Sequence, residues 1–92
     1  MVDVGSDAPT GSPPVLTLMT RLDCSLCTSF EADLAAWEDG RGRFQLTVVN
    51  VDSCAELVAR YGLRVPVLLV GEREICAFRL RVERVAAALD AT

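Results

Sequence analysis

The sequence predicts an α/β domain with the element order β-α-β-α-β-β-α and a four-stranded mixed sheet that has helices on both faces. Apolar, β-branched runs at residues 15–20, 44–51 and 65–70 are typical of buried strands. A Gly-Glu pair, a favoured two-residue turn, separates the third run from a fourth strand at 73–78. The first two strands are joined through a helix and should be parallel with a right-handed crossover, whereas the last two should form an antiparallel hairpin.

The first helix is indicated by apolar residues at spacings of four, four and three, which share one helix face: Leu26, Phe30, Leu34 and Trp37. We expect Gly40 and Gly42 to end this helix. Ser53 and Glu56 form a capping-box pattern that predicts the start of the second helix, with Gly62 as its stop. A closing amphipathic helix is predicted from a last set of spaced apolar residues: Val82, Val85, Ala86 and Leu89.

Length and charge limit the classes of function. The 92 residues suffice for one domain, and nine Arg against thirteen acidic residues give a net charge of −4. This mild acidity argues against a nucleic-acid or anionic-membrane partner, because both favour basic patches. The sequence has no His, which excludes mechanisms that need an imidazole. Four cysteines in 92 residues fall below the proportion of about 8–10% that is typical of disulfide-stapled secreted domains.

The N-terminal segment differs in composition from the rest. Residues 1–14 are rich in Gly, Ser, Pro and Asp, which predicts a flexible tail, and residues 15–92 form the domain. The segment has neither the basic start nor the apolar centre of a signal peptide, and no apolar stretch is long enough to span a membrane. We therefore expect a cytoplasmic protein.

Two cysteines three residues apart, Cys24 and Cys27, stand where a buried strand leads into a helix. The N–H groups of the first helical turn have no partner within the helix, and the helix dipole is positive there, so a thiolate at Cys24 would be stabilised. We expect Cys27, one turn further, to be more buried. Arg21 should favour the thiolate and attract an anionic substrate group, whereas Asp23 should oppose the thiolate unless it caps the helix.

A second candidate element is the pair Val65 and Pro66. A proline at the start of a strand cannot donate a hydrogen bond to the sheet, so it belongs at an edge or a bend. A cis bond between these residues would turn the chain sharply toward the cysteines. It would leave the Val65 backbone free to pair with an extended substrate.

These motifs together resemble a known family. Over about residues 15–90 the chain is similar to a glutaredoxin of the thioredoxin fold, nearest to small glutaredoxin-like proteins with a C-x-L-C motif; the resemblance lies in Thr20-Arg21-x-x-Cys24-x-x-Cys27, in Tyr61-Gly62-x-x-Val65-Pro66 and in the final hairpin and helix. It implies that Cys24 is the nucleophile, that Cys27 resolves the mixed disulfide and that a cis Pro66 lines the substrate groove. Arg21 occupies the place of a family residue that contacts the glutathione carboxylate.

The chain also departs from that pattern. Residues 75–79 hold no glycine pair, and Arg79 stands where glutaredoxins carry an acidic residue that grips the γ-glutamyl end of glutathione. Ser25 and Leu26 replace the usual Pro-Tyr between the cysteines. The resemblance implies a thiol as the reductant. Because the residues that contact glutathione are altered, this thiol is either glutathione or another one of low molecular weight.

The functional hypothesis is a dithiol disulfide oxidoreductase that acts on disulfides of proteins or small thiols. We expect no permanently bound cofactor, no metal in the site, and a monomer. One alternative is a non-catalytic binding module that uses the groove beside Val65 and Pro66 and whose cysteines never cycle. Another is a metal-binding relative, with either a zinc site in which Cys54 and Cys76 add to the first two cysteines or an iron–sulfur cluster shared between two chains. The ordinary interpretation of Cys54 is a helix-start residue, and that of Cys76 is packing in the sheet.

Overall fold

A computed structural model of the protein describes residues 13–91, so most of the predicted N-terminal tail lies outside the described residues. The strands are β1 (Val15–Thr20), β2 (Gln45–Asn50), β3 (Val67–Val70) and β4 (Arg73–Ala77). The helices are α1 (Ser25–Ala36), α2 (Ala55–Tyr61) and α3 (Val82–Asp90), with short 3₁₀ helices at Glu38–Gly40 and Val51–Ser53. The β-α-β-α-β-β-α order is confirmed.

The four strands form one mixed sheet in the order β2-β1-β3-β4. β1 is parallel to β2 and antiparallel to β3, and β3 is antiparallel to β4. Met19 near the end of β1 pairs with Val67 at the start of β3, which in turn pairs with Ala77 at the end of β4. The loops that leave β1, enter β3 and leave β4 therefore meet at one end of the sheet.

Helices cover both faces of the sheet, as predicted. On one face Phe30 and Leu34 of α1 and Val85 of α3 pack with Leu16 and Leu18 of β1. On the other face Tyr61 of α2 packs with a second apolar cluster, formed by Val51 of the 3₁₀ helix after β2 and by the alternate strand positions Met19, Val67 and Leu69. Since successive strand residues point to opposite faces, the nearly continuous apolar sequence of β1 fills both cores.

The prediction of a buried second strand is wrong. β2 lies at the edge of the sheet and is mostly exposed or half-buried, with 46% of Val48 accessible to solvent. β2 pairs only with β1, so one of its two sides has no partner strand among the described residues. The β-branched composition of residues 44–51 indicated a strand but did not distinguish an edge position from a central one.

The predicted capping box at Ser53 is also wrong. α2 begins at Ala55 with Cys54 as its N-cap, and no side chain caps it. Ser53 instead ends a 3₁₀ helix, and its hydroxyl donates to the carbonyl of Asn50 over 2.7 Å. The chain is thus already in a helical turn where the sequence pattern placed the start of α2. Gly62 does end the helix as predicted, with right-handed backbone angles.

Two predicted helix faces are rotated slightly from their true positions. Leu26 is exposed rather than buried, and α1 ends at Ala36, before the glycines that were expected to end it. In α3, Val82 was predicted to be buried but is exposed, and Ala88 is buried instead. The face of α1 that packs on the sheet runs through Cys27, Phe30 and Leu34, so the first turn presents its cysteine inward and its leucine outward.

The predicted two-residue hairpin joins β3 to β4, with Val70 paired to Arg73 and Gly71 at a φ of +60°. Glycine adopts this left-handed conformation without the steric cost of a Cβ atom. A register shift between Leu68 and Leu69 lets consecutive β4 residues, Ile75 and Cys76, both be buried. Within residues 13–91, no helix is long and apolar enough to cross a membrane.

Candidate redox site

Cys24 is the N-cap residue of α1. Its backbone is extended, with φ −114° and ψ 103°, and its carbonyl accepts a hydrogen bond from the Thr28 N–H over 3.1 Å. The preceding Asp23 has a φ of +56°, which turns the chain from β1 into the helix. The first turn of α1 contains no acidic side chain that would offset its positive end. The sequence thus places the Cys24 sulfur where a helix best stabilises negative charge.

A disulfide bond joins Cys24 to Cys27, whose Cα atoms are 5.2 Å apart. The N–H of Cys27 also donates a hydrogen bond of 3.1 Å to the Cys24 Sγ. Cys24 is half-buried, whereas only 3% of Cys27 is exposed. The expected difference in burial is confirmed, and it leaves one sulfur open to an incoming group while the other is held inside.

Arg21 lies beside the cysteines but is held by Asp52. Its Nη2 is 2.7 Å and its Nε 3.3 Å from the two carboxylate oxygens of Asp52, and Nη1 donates to the Gly62 carbonyl over 3.3 Å. The hydrogen bond and the charge of Asp52 raise the pKa of Arg21. The guanidinium therefore has an internal counterion, a partner that the sequence analysis did not anticipate.

A cleft of about 600 Å³ opens between the end of β1 and the first two turns of α1. Arg21, Asp23, Cys24 and Glu31 are among the residues that line it. Neither Asp23 nor Glu31 forms an ion pair with another residue in the described part of the chain. The cleft beside the disulfide therefore combines a neutralised arginine with two uncompensated carboxylates.

Val65 and Pro66 lie at the same end of the sheet, immediately before β3. The bond between them is cis, and Pro66 is buried. Phe78, which follows β4, donates its N–H to the Pro66 carbonyl over 2.8 Å. Among residues 13–91, no hydrogen bond involves the backbone of the half-buried Val65. Its N–H and C=O are therefore available to an incoming chain, although neither Val65 nor Pro66 lines the cleft beside Cys24.

Exposed apolar side chains lie at this end of the sheet, three of them in loops and one, Leu26, in the first turn of α1. The accessible fractions are 78% for Leu22, 51% for Leu26, 93% for Leu63 and 48% for Phe78. Leu26 and Phe78 also line a second cleft, of about 310 Å³, between α1 and residues 78–80. This grouping was not predicted from the sequence. The available signal was that Leu22 and Leu63 fall between the predicted strands and helices, where an apolar residue has no core to enter.

The two other cysteines lie outside the disulfide. Cys54 is exposed at the start of α2, and Cys76 is buried in β4. Both placements agree with the ordinary interpretations that the sequence suggested. In the described part of the chain, no three His, Cys, Asp or Glu side chains are grouped closely enough to hold a metal ion.

Comparison with known proteins places the chain in a family. The family model described as "Glutaredoxin-like domain (DUF836)" matches residues 15–90. The chain belongs to this glutaredoxin-like family. The resemblance noted from the motifs is thereby confirmed for both family and fold. No curated protein matches the sequence.

Solved structures agree with this membership. A protein from Nitrosomonas europaea, solved by NMR, is 30% identical with a TM-score of 0.71, and the alignment covers 96% of this chain and 98% of that one. A protein from X. campestris, solved by X-ray diffraction, is 38% identical with a TM-score of 0.62, over 84% and 97% of the two chains. A thioredoxin from Fasciola hepatica matches at 13% identity and a TM-score of 0.53, over 94% and 86%, which shows the shared fold.

Proposed function

We propose that this glutaredoxin-like protein is a dithiol disulfide oxidoreductase. The observation that carries the proposal is the Cys24–Cys27 pair at the start of α1, where a backbone N–H already donates to the Cys24 sulfur. A thiolate on that atom keeps this donor and the positive end of the helix as its stabilising environment. Family membership supports a redox function, and the difference in burial supports the proposal that Cys24 attacks and Cys27 resolves.

In the reduced protein the reaction begins at Cys24. Its thiolate attacks one sulfur of the substrate disulfide, so that a Cys24–substrate bond forms and the substrate S–S bond breaks. The other half of the substrate leaves as a thiolate, which takes up a proton. The half-exposed position of Cys24 allows this attack, and the unpaired main-chain groups of Val65 are suited to holding an extended polypeptide nearby.

Cys27 then completes the exchange. It loses its proton and attacks the Cys24 sulfur, which releases the second half of the substrate as a thiolate that is protonated in turn. The protein loses two electrons and two protons and gains the Cys24–Cys27 disulfide, while the substrate gains the same two electrons and two protons. The hydrogen bond from the Cys27 N–H to the Cys24 Sγ keeps the two sulfurs within reach.

The oxidised pair must be reduced again by an external thiol, either glutathione or another low-molecular-weight thiol. We place this cycle in the cytoplasm, where thiol pools keep such pairs reduced. The proposed partner is a disulfide-bearing protein or a small mixed disulfide, and the proposed working form is a monomer with no resident cofactor. Nucleic acid and membrane are not among the proposed partners.

The proposal is tested with the pre-reduced protein and a neutral disulfide, bis(2-hydroxyethyl) disulfide, in a single turnover. All variants carry Cys54→Ser so that the exposed Cys54 does not contribute. We expect the parent to form the internal disulfide, Cys24→Ser to be inert, and Cys27→Ser to accumulate the mixed disulfide on Cys24, as read by mass spectrometry. Equal rates for the parent and Cys24→Ser would overturn the proposal and favour the binding-module interpretation.

A further inference from the structure

The arginine of the cleft beside Cys24 is bound by a residue from another part of the fold. Asp52 belongs to the 3₁₀ helix that follows β2, yet its carboxylate binds Arg21, on the loop that leads to Cys24, through two hydrogen bonds. The carbonyl of Gly62 fixes the same guanidinium from a third direction. Three hydrogen bonds therefore hold the cation that would otherwise be free to approach an anionic substrate.

With Arg21 neutralised, the cleft keeps the charges of Asp23 and Glu31. Both side chains are exposed and have no ion-pair partner among residues 13–91. The immediate charges are one positive, from Arg21, and three negative, from Asp52, Asp23 and Glu31, which leaves a net charge of −2. A carboxylate on a substrate meets repulsion in this environment, and an ammonium or guanidinium meets attraction.

We propose that Asp52 is a positioning residue that sets the substrate charge preference of the dithiol. By holding Arg21 it makes the site select disulfides whose neighbouring groups are cationic or neutral over those flanked by carboxylates. The inference rests on the proposed function, since it concerns the substrate of that same cysteine pair. The substrate class is a polypeptide disulfide with a basic or uncharged residue beside the cysteine, rather than a small disulfide that carries several carboxylates.

The chain provides matched controls for this idea. Arg64 pairs with Glu74, and Arg43 pairs with Asp90, both in partly exposed ion pairs like that of Arg21. Neither pair lines the cleft beside Cys24. Breaking one of them changes the net charge and the surface of the protein just as breaking the Arg21–Asp52 pair does, but away from the cysteines.

The experiment uses the pre-reduced Cys54→Ser protein with three small disulfides: cystamine, which is a dication, 3,3′-dithiodipropionate, a dianion, and neutral bis(2-hydroxyethyl) disulfide. The rate with each charged disulfide is divided by the rate with the neutral disulfide, so that a general effect of a variant on thiol reactivity cancels. At low ionic strength we expect cystamine to be preferred. Asp52→Asn should lower the ratio of the cystamine rate to the dithiodipropionate rate by roughly three- to tenfold. Addition of 0.5 M salt should largely remove this change.

Further variants separate charge from structure. Asp52→Glu should retain the preference for cystamine, whereas Glu74→Gln and Asp90→Asn should leave the ratio within about twofold of the parent. A ratio that does not move in Asp52→Asn, or that moves as much in Glu74→Gln, would overturn the assignment of Asp52. Failure of the parent to react with the neutral disulfide would instead count against the oxidoreductase function itself, so the two failures are distinguishable.

Discussion

The backbone N–H of Cys27 lies 3.1 Å from the Sγ of Cys24 and donates a hydrogen bond to it. This contact links the two cysteines by a second interaction besides their disulfide. It exists because Cys24 is the N-cap of α1, so that its side chain faces the unpaired N–H groups of the first turn. When the disulfide is reduced, we expect the same N–H to donate to the sulfur anion.

The first prediction concerns the reactivity of the reduced thiols. Because the first turn of α1 faces Cys24, we expect the pKa of its thiol to fall below the ordinary cysteine value of about 8.5, with the carboxylates of Asp23 and Glu31 offsetting part of the fall. Alkylation by iodoacetamide, followed across pH by peptide mass spectrometry, should therefore modify Cys24 first and leave Cys27 unmodified. Cys24 in the urea-unfolded protein is the control, because Cys54 also lies at a helix N-terminus. Alkylation of Cys24 with a midpoint at 8.5 or above would contradict the stabilisation.

The sequence was sufficient to identify the cysteine pair, since two thiols between a buried strand and a helical pattern are placed at a helix N-terminus by local spacing alone. It could not show what Arg21 binds. Its partner Asp52 is 31 residues away in the chain, and the two meet only because β2 runs parallel to β1 and both strands end on the same side. Contacts between loops at the ends of strands depend on the tertiary arrangement, and local spacing carries no signal for them.

A second prediction concerns Leu26, which the helical spacing assigned to the core but the structure exposes. We expect Leu26→Ala to change the free energy of unfolding by less than about 0.5 kcal/mol. If substrate polypeptides cover this side chain, the variant should react roughly three- to tenfold more slowly with an apolar peptide disulfide, equal to about 0.7–1.4 kcal/mol of lost contact. The rate with bis(2-hydroxyethyl) disulfide gives the reference for each protein.

Val15→Ala is the matched control for Leu26→Ala, because Val15 is similarly exposed but begins β1 at the opposite end of the sheet. It should not alter the ratio of the peptide rate to the small-disulfide rate. A marked loss of stability in Leu26→Ala would show that the residue packs in a core after all. An equal change of ratio in both variants would show that the effect is unrelated to the site.

The third prediction is a pH dependence of stability from Cys76. Burial raises the pKa of this thiol, and the backbone N–H of Arg81 and the charges of Arg84 and Arg81 offset part of the rise. Below the unfolded pKa of about 8.5 the thiol is protonated in both states and has no effect on the pH dependence. Above it the unfolded chain ionises first, so stability falls with a slope approaching about 1.4 kcal/mol per pH unit until the folded pKa is reached.

The measurement is urea unfolding of the reduced protein between pH 7 and 10. Cys76→Ala should be less stable at pH 7, by about 1 kcal/mol, but should lose less stability above pH 8.5 than the parent. Cys54→Ala, at an exposed position, should keep the parent's slope. Parallel curves for the parent and Cys76→Ala would show that the buried thiol does not control this dependence.

The fold itself was largely predictable, because periodicity and turn residues are local. The hairpin at Gly71 and the apolar run of β1 were both identified correctly. The order of strands in the sheet was not specified by the same information. A β-branched sequence such as that of β2 occurs in central and edge strands alike, so its exposure follows from the position of β1 between β2 and β3.

The last prediction tests that difference between central and edge strands. Leu18 is fully buried in β1, so Leu18→Ala should lower the free energy of unfolding by about 2–5 kcal/mol through lost burial and the cavity it leaves. Val48 in β2 is largely exposed, and Val48→Ala should cost less than about 1 kcal/mol. Urea unfolding followed by far-UV circular dichroism measures both changes, and Leu18→Val provides a milder truncation if Leu18→Ala does not fold. Similar losses at Leu18 and Val48 would mean that β2 is a buried strand, as its sequence alone suggested.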